Sequence, residues 1–359
     1  MANEKRVLHL VEYLYQGGIE RLLEQIFRHT PRDRARLSLF SYQTPALTGI
    51  AQEIQSLDVP LMIYDKTRRF DRQLHEKLSR LVKDDGIRTV HTHDFGPMEF
   101  ALGIKLRRPS VQLIHTHHSL HYFLRFPSYL VFFQLAGLFY DKIICVSDHV
   151  RETLADRCPL IRSKLVTIPN GVDLAGFSLK PRPLSFPLRL ITVCRISPEK
   201  NLIHILRALK DLRDRGVPFT WTHVGNGPDE HRQPLLDFAK NNALKEVTFA
   251  GFTADVKAAL AGADVFVSSS LTEGHPVSVL EAMAAGMVTV VSDIPPHRQI
   301  SESLVFFSLA DNSLVDRLSA IAARPEAFLA VARKGREVVE AKYSLDTMIN
   351  RYLELYRST

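Results

Sequence analysis

Two glutamates, Glu273 and Glu281, flank a strand-to-helix corner in the second half of the chain. A helical pattern opens near Pro276, and proline is favoured in the first helical turn because its missing N–H costs no hydrogen bond there. The amides of Val277 and Ser278 then point outward at the positive end of the helix dipole. This pattern predicts an anion site suited to a diphosphate.

The spacing of the two carboxylates fits a nucleotide diphosphate. Seven residues separate Glu273 from Glu281, which is at most about 12 Å if the segment is helical. In this interpretation Glu281 accepts hydrogen bonds from ribose hydroxyls, and Glu273 faces the sugar. The alternative is an ordinary strand-to-helix corner with two solvated glutamates.

Two cations and a glycine loop follow other strand-like segments of the same half. Arg195 and Lys200 come after its first strand, where fixed positive charge could neutralise a departing diphosphate. Gly225, Asn226 and Gly227 end another strand and are interpreted as a base-side or structural loop. The loop lacks a GxGxxG continuation, so it does not indicate a dinucleotide site.

A glycine pair occupies the first strand-to-helix turn of the chain. Gly17 and Gly18 have no Cβ, so their backbone amides could approach a phosphate or a sugar closely. We predict that they contact the donor. A tight turn without ligand contact is the alternative interpretation.

Histidines concentrate in the first half, where ten of the fifteen precede residue 150. Six of them lie near two strand ends: His91, His93, His115, His117, His118 and His121. The run His91–Asp94 offers zinc ligands, but strand geometry favours one core residue and one cleft residue at 91 and 93. We therefore predict no metal site, and the sequence also contains no Asp-x-Asp motif.

The segment Glu273–Gly286 resembles the donor-site signature of glycosyltransferase family 4, whose members are retaining enzymes with the GT-B fold. Other segments agree with this family in order and spacing, and the likeness covers roughly residues 7–300. These segments are Gly17–Glu20, His115–His121, Val146–Asp148, Ile168–Asp173, Arg195–Asn201 and Val224–Pro228.

The resemblance implies sugar transfer from a UDP- or GDP-linked donor, with retention of configuration and without a metal or another cofactor. It also implies that the first domain binds the acceptor and the second the donor. His118 matches the family histidine beside the transferred sugar. Ser119 stands where glycine is frequent, which keeps His117 as an alternative, and His93 is a candidate for the acceptor side.

Strand-like and helical segments alternate along both halves. The strand candidates are Val7–Val11, Leu37–Tyr42, Leu61–Tyr64, Thr89–Thr92, Leu113–Thr116, Ile143–Ser147, Leu165–Ile168, Leu190–Cys194, Thr220–Val224, Val247–Ala250, Val265–Ser268 and Val288–Ser292. Such alternation predicts βαβ units. The fold class is therefore α/β: two Rossmann-like domains with mostly parallel sheets that face each other across a cleft, as in GT-B proteins.

The domain boundary is predicted at the proline-rich segment Phe177–Pro187, because proline disrupts both helices and strand ladders. Residues 1–176 would form the acceptor domain and residues 177–340 the nucleotide-sugar domain. Residues 341–359 would form a final helix that crosses back to the first domain.

Composition places the protein in a reducing compartment. Three cysteines without metal-ligand spacing argue against disulfides, and the apolar run Val7–Leu10 is too short for a signal peptide. The net charge is +7, without a nucleic-acid-binding motif, so we expect no nucleic-acid partner. We predict a cytoplasmic enzyme, with peripheral contact at the inner face of the membrane as an open possibility.

The stretch Tyr122–Tyr140 is rich in aromatic residues, but its uninterrupted apolar runs are shorter than the roughly 20 residues of a membrane span. We favour a helix buried by the first domain. Docking of this stretch to a membrane surface is the alternative.

The acceptor is predicted only as a class. By analogy with the family it is a glycan or lipid-linked glycan of bacterial surface polysaccharide or lipopolysaccharide synthesis. Two other functions fit the same sequence features: a UDP-sugar 2-epimerase of the same fold, and a catalytically silent subunit that binds a nucleotide sugar.

Overall fold

A computed structural model describes residues 5–14, 17–42, 49–66, 68, 71–120, 123, 127–177 and 184–357. The chain divides into two compact units. The first comprises Met1–Asn170 with Leu345–Thr359, and the second comprises Gly171–Ser344. Val172 belongs to the second unit because its amide donates to the carbonyl of Tyr343 at 2.9 Å. The predicted linker lies partly outside the described residues, which resume at 184.

The first unit contains a seven-stranded sheet in the order β3-β2-β1-β4-β5-β6-β7. Its strands are β1 Arg6–Val11, β2 Arg36–Ser41, β3 Leu61–Ile63, β4 Thr89–His93, β5 Gln112–His117, β6 Lys142–Cys145 and β7 Leu165–Thr167. All pairings are parallel, and the seven predicted strands are confirmed. Its helices are α1 Gly18–His29, α2 Gly49–Ser56, α3 Arg72–Asp84, α4 Met98–Arg107, α5 Pro127–Gly137 and α6 Asp148–Arg157, followed later by the last helix of the chain.

Alternating side chains of these strands form two cores. Leu8 and Leu10 pack into one core, whereas Val7 and Val11 pack into the other. A sheet buried on both faces requires such nearly continuous apolar strands. The sequence pattern and the observed layers therefore agree.

The second unit contains a six-stranded parallel sheet in the order β10-β9-β8-β11-β12-β13. Its strands are β8 Leu188–Val193, β9 Phe219–Val224, β10 Val247–Gly251, β11 Val265–Ser268, β12 Val288–Ser292 and β13 Val305–Phe307. Its helices are α7 Leu202–Asp214, α8 Asp229–Asn241, α9 Val256–Ala261, α10 Val277–Ala284, α11 Pro295–Ile300, α12 Ser313–Ala323 and α13 Pro325–Lys342. The five strands predicted here are confirmed, and the three-residue β13 was not predicted.

The last helix, α14 Leu345–Arg357, follows the second unit in sequence but belongs to the first. Met348, Ile349, Tyr352 and Tyr356 are buried in the same core as α1. The amide side chain of Gln112 also donates to the carbonyl of Leu355 at 3.0 Å. This helix therefore covers one face of the first sheet.

The aromatic stretch has one buried and one exposed side. Phe123, Phe133 and Tyr140 are buried in the first unit's core, whereas Val131 and Leu135 of α5 are exposed. Residues 121, 122 and 124–126 of this stretch lie outside the described residues. Within the described part of the chain, no helix is long and apolar enough to cross a membrane.

The centre of the first sheet contains five nearly inaccessible histidines: His9, His91, His93, His115 and His117. Burial lowers the pKa of His9 to about 3 and that of His117 to about 4. The pKa values of the other three also fall well below 6.5, chiefly because of burial. These side chains are therefore neutral at physiological pH.

These histidines predict a loss of stability in mild acid. Below about pH 6.5 the unfolded chain binds protons that the folded chain does not, so the free energy of unfolding falls with pH. The slope is up to about 1.4 kcal/mol per pH unit for each histidine. Urea unfolding at pH 7.5, 6.5 and 5.5 measures it. His117→Phe removes one such group and should reduce the pH dependence of the unfolding free energy by the contribution of that histidine. Equal unfolding free energies at pH 7.5 and 5.5 would contradict the prediction.

Candidate functional site

A close ion pair lies beyond the carboxyl ends of β8 and β11 in the second unit. The Lys200 ammonium contacts Oε1 of Glu273 at 2.6 Å, and the hydroxyl of Ser270 donates to the same oxygen at 2.6 Å. The lysine and glutamate side chains are only 18% and 11% exposed. The structure therefore brings together two of the predicted catalytic residues.

Both members of this pair are charged at neutral pH. Burial alone would raise the pKa of Glu273, but the charge of Lys200 and the hydrogen bonds from Lys200 and Ser270 hold it below its usual value. Burial would lower the pKa of Lys200, and Glu273 more than compensates. The site thus holds a fixed cation beside a fixed anion.

Backbone geometry keeps Lys200 in place. The single turn Pro198–Lys200 is followed by Asn201 in the left-handed conformation, with φ of 51°. The hydroxyl of Ser269 donates to the carbonyls of Lys200 and Asn201 at 3.0 and 2.9 Å. The loop after β11 is therefore tied directly to the loop after β8.

Arg195 has different surroundings from Lys200. Its side chain is 70% exposed, and its guanidinium lies 3.8 Å from the Glu199 carboxylate. An exposed contact of this kind does not fix the side chain, because solvent screens it. A catalytic role for Arg195 stays a prediction.

The loop at Gly225–Gly227 packs against the segment that carries Arg195. A Cβ at Gly225, whose φ is +138°, would lie 1.9 Å from the Cys194 carbonyl oxygen. A Cβ at Gly227 would lie 2.1 Å from the Ile196 carbonyl oxygen, and the Asn226 carbonyl accepts from the Ile196 amide at 2.9 Å. Both glycines are thus required for close loop packing. A contact between this loop and a nucleotide base stays a prediction.

The helix start at Pro276 differs slightly from the prediction. Pro276 is the N-cap, and α10 begins at Val277, so the proline lies one position before the first helical turn. The first intrahelical bonds run from the amides of Val279 and Leu280 to the Pro276 carbonyl, at 3.2 and 3.4 Å. The amides of Val277 and Ser278 precede these bonds, as at any helix start.

The helix α10 presents these groups on an accessible side. Val277, Ser278 and Glu281 are half-buried, whereas Val279 and Leu280 are fully buried in the second unit's core. Glu281 lies one turn after Val277. The predicted phosphate-binding amides and the predicted ribose-binding carboxylate therefore belong to the less buried side of one short helix.

The glycine pair lies at the start of α1 in the first unit. Gly17 is the N-cap of α1, and its carbonyl accepts from the Arg21 amide at 3.1 Å. A Cβ at Gly18 would meet nothing within 4 Å. Protein packing therefore does not require glycine at position 18, and space for a ligand's approach remains.

Four histidines of the first unit, His9, His91, His93 and His118, form what we call the histidine cluster. Nδ1 of His93 lies 3.2 Å from Nε2 of His118, and Nε2 of His93 lies 2.9 Å from Nδ1 of His9. His118 follows β5 and is half-buried. Burial, with a smaller effect from His117, lowers its pKa to about 3.

His117 lies apart from this cluster. Its ring stacks on Phe123, with centroids 4.6 Å apart and planes only 4° from parallel, and it also contacts Phe133. Successive strand residues point to opposite faces, so His117 packs in the core that excludes His118. The structure thus brings His93 together with His118 and not with His117.

The sequence interpretation of His91 and His93 needs correction. Both side chains are buried, and their rings stack with centroids 4.3 Å apart, because residues two apart share one face of a strand. His9 joins them from β1, where it pairs in register with His91. This third member was missed, although its signal was a histidine in the middle of the first strand.

One ring nitrogen from each of His9, His91 and His93 lies within 4.8 Å of the others. A zinc ion would require ring nitrogens to point at a common centre at about 2.0–2.1 Å. Here His91 and His93 face each other through their ring planes, and the nitrogens of His9 and His93 are at hydrogen-bond distance. This geometry favours a hydrogen-bonded arrangement over a metal centre.

Comparisons with known proteins agree with both units. The family described as Glycosyltransferase Family 4 matches residues 16–175, and the family described as Glycosyl transferases group 1 matches residues 187–324. The putative glycosyltransferase EpsF of Bacillus subtilis is 26% identical over 81% of this chain and 80% of its own length. An Escherichia coli UDP-Gal:alpha-D-GlcNAc-diphosphoundecaprenol alpha-1,3-galactosyltransferase is 25% identical over 80% of this chain and 79% of its own.

Solved structures agree on the fold. HepE of Anabaena, crystallised with UDP and glucose, superimposes with a TM-score of 0.86 and 16% sequence identity, over 99% of this chain and 100% of HepE. Its fold is that of GT-B glycosyltransferases. The two family matches, the relatives that align over about four fifths of both chains and the two parallel sheets together show that this chain belongs to glycosyltransferase family 4 and is a transferase with the GT-B fold.

Proposed function

We propose that the protein transfers a hexose from a UDP-linked sugar to a glycan or lipid-linked acceptor, with retention of configuration, in surface polysaccharide or lipopolysaccharide assembly. Support for the donor comes from HepE, which was crystallised with UDP and glucose, and from the UDP-galactose-dependent relative. The same relative is named for a lipid-diphosphate acceptor. Retention is implied by the family.

The observation that carries the proposal is the 2.6 Å contact between Lys200 and Glu273. A lysine ammonium has three N–H donors, and Glu273 accepts one of them. The others could bind the diphosphate, while the Glu273 carboxylate accepts a hydrogen bond from the sugar. Cleavage of the bond between the anomeric carbon and the diphosphate adds negative charge to the leaving group, and fixed cations stabilise it without reorganisation.

The remaining donor contacts follow from α10 and its neighbouring loops. The amides of Val277 and Ser278 would bind phosphate oxygens at the positive end of the helix, and Glu281 would bind the ribose hydroxyls. Arg195 is sufficiently exposed to turn toward an incoming diphosphate. Positive charge in this proposal therefore comes from side chains and a helix start, without a metal or another cofactor.

The first unit would supply the acceptor side. His118, at the end of β5, is the proposed contact to the transferred sugar, and His93 behind it is the acceptor-side candidate. Gly17 and Gly18 stay candidates for contact with the donor, because the open space at Gly18 would let a phosphate or sugar approach the backbone at the start of α1.

Lys200→Ala is expected to lower the turnover number by about 10²–10³, as does loss of one fixed donor to a developing charge. We expect the same for Arg195→Ala if the guanidinium moves onto the diphosphate. The matched control is Arg215→Ala, which breaks an exposed ion pair with Asp316 and should leave turnover unchanged. Sugar transfer from labelled UDP-glucose and UDP-galactose to a lipid-linked glycan measures the effect.

Ligand-induced thermal shifts separate binding from chemistry. UDP at 100 times its dissociation constant should stabilise the wild type by about 2.7 kcal/mol, and Lys200→Ala should lose most of that shift. Circular dichroism without ligand checks that the variant is folded. A shift with GDP alone would contradict the UDP assignment. Isomerisation of the nucleotide sugar without acceptor would contradict transfer.

We further propose that the first unit contacts an anionic membrane surface through an apolar face made of Val131, Leu135, Leu138, Phe139 and Leu160. These five side chains are between 44% and 61% exposed. Val131 and Leu135 lie one turn apart on α5, and Leu138 and Phe139 follow directly after the end of this helix. Gln134 on α5 accepts a hydrogen bond from the Leu160 amide at 3.2 Å. They therefore form one continuous surface.

Two cations border this apolar face. The Lys164 ammonium binds the carbonyls of Leu138 and Tyr140 at 2.6 and 2.7 Å. Arg162 follows Leu160 by two residues, and its 62% exposed guanidinium lies 3.5 Å from the exposed Asp156 carboxylate. Apolar side chains flanked by cations are typical of surfaces that dock on anionic lipid. A lipid-linked acceptor would place the enzyme at such a surface.

Leu135→Glu should weaken binding to phosphatidylglycerol vesicles about tenfold or more, because one apolar side chain contributes about 1.5–3 kcal/mol when buried. Phe186→Glu, an exposed apolar position in the second unit, is the control and should bind as the wild type does. Cosedimentation measures both. Wild-type protein that stays in the supernatant would refute the membrane contact.

A further inference from the structure

A continuous series of hydrogen-bond contacts leads from His118 into the core of the first unit, and its far half depends on the last helix of the chain. The successive contacts are His118 Nε2 to His93 Nδ1 at 3.2 Å, His93 Nε2 to His9 Nδ1 at 2.9 Å, His9 Nε2 to Tyr356 Oη at 3.5 Å, Tyr356 Oη to His91 Nδ1 at 2.7 Å, and His91 Nε2 to Thr116 Oγ1 at 2.7 Å.

Every titratable group in this series is uncharged at neutral pH. Burial lowers the pKa of His9 and His118 to about 3 and those of His91 and His93 well below 6.5. Burial also raises the pKa of Tyr356 well above 10. A neutral imidazole has one donor nitrogen and one acceptor nitrogen. The tautomer of each ring therefore determines the tautomer of the next. As a result, all hydrogen bonds along the series point the same way, from donor to acceptor.

The two contacts of Tyr356 indicate which direction applies. A phenol hydroxyl donates one hydrogen bond, and its 2.7 Å contact with Nδ1 of His91 is far shorter than its 3.5 Å contact with Nε2 of His9. We assign the hydroxyl proton to the short contact, because an O–H donor typically gives a shorter heavy-atom distance than an N–H donor does. The phenol oxygen then accepts from Nε2–H of His9.

This assignment determines the tautomers of the other rings. Nδ1 of His9 is then an acceptor and receives Nε2–H of His93. Nδ1 of His93 is in turn an acceptor and receives Nε2–H of His118. Nδ1 of His118 is left with a lone pair at the half-buried end of the series.

We propose that Tyr356 is a positioning residue, which acts through His9 and His93 to hold His118 in its Nε2–H tautomer and to present Nδ1 as a hydrogen-bond acceptor. A sugar or acceptor hydroxyl is the ligand group that such a nitrogen binds. The second part of this statement rests on the proposed function, in which His118 contacts the transferred sugar. The first part is a property of the first unit alone.

The tautomer can be measured in the wild-type protein. Full-length protein labelled with ¹⁵N-histidine gives long-range ¹H–¹⁵N correlations that separate pyrrole-type from pyridine-type ring nitrogens. His118 should show a pyridine-type Nδ1 and a pyrrole-type Nε2, and EDTA should leave the spectrum unchanged. The opposite tautomer would overturn the proposal. So would an EDTA-dependent spectrum, because a metal-bound nitrogen cannot belong to the series.

Tyr356→Phe removes the hydroxyl that sets the direction. Without this hydroxyl, Nε2 of His9 has no hydrogen-bond partner, whichever way the hydrogen bonds of the series point. The two tautomers of His118 should therefore become about equally populated. The ¹⁵N chemical shifts of the two His118 ring nitrogens should move toward the average of the pyrrole-type and pyridine-type values. The turnover number should fall about twofold, with an unchanged KM for the donor. Unchanged His118 shifts would overturn the proposal.

Tyr352→Phe is the matched control for this variant. Tyr352 lies one turn earlier on α14 and is equally buried. Its hydroxyl contacts Thr116 at the far end of the series, beyond His91, and therefore does not lie between Tyr356 and His118. Its removal should leave the His118 shifts and the turnover number unchanged, and a change equal to that of Tyr356→Phe would overturn the proposal. His118→Ala separates the two parts: full turnover would refute the sugar contact while the wild-type tautomer still supports the positioning role.

Discussion

Parallel strand pairing is the constraint on which the site geometry depends. Because all strands of a parallel sheet run in one direction, their carboxyl ends and the loops that follow them collect at a single edge. In the second unit this edge brings Lys200, after β8, within 2.6 Å of Glu273, after β11. In the first unit the same rule places His118, after β5, beside His93 at the end of β4. Residues that are distant in sequence thus come into contact because their strands end at the same edge of the sheet.

The two units use this edge in chemically opposite ways. The second unit holds a charged pair, and burying such a pair costs desolvation energy that its attraction barely repays. The hydrogen bond from Ser270 to the Glu273 carboxylate offsets part of this cost, and the Ser269 contacts hold the Lys200 backbone in place. The first unit instead holds neutral imidazoles, which burial prevents from becoming charged. In the proposed function, the charged environment would stabilise a charged leaving group, and the neutral one would bind uncharged hydroxyls.

The sequence was sufficient for the fold and for naming several residues that the structure brings to the candidate site. Its apolar runs identified twelve strands, because a buried parallel strand is almost continuously hydrophobic. It missed β13, which has only three residues. Local spacing also identified Glu273 and the start of α10. It could not reveal that Lys200 is fixed and Arg195 exposed, because that difference depends on side-chain contacts between separate loops.

The histidine cluster shows a second limit of sequence interpretation. His9, His91 and His93 become neighbours only through the register of β1 and β4, and Tyr356 joins them after the chain has completed the entire second unit. A purely apolar core would avoid the free-energy cost of burying these polar groups, because each buried imidazole nitrogen requires a hydrogen-bond partner. The continuous pairing from His118 to Thr116 supplies those partners. Removal of any one member would leave its neighbours without a hydrogen-bond partner, so the hydrogen bonding of each residue depends on the others. The last helix therefore packs on the first sheet through polar contacts as well as apolar ones.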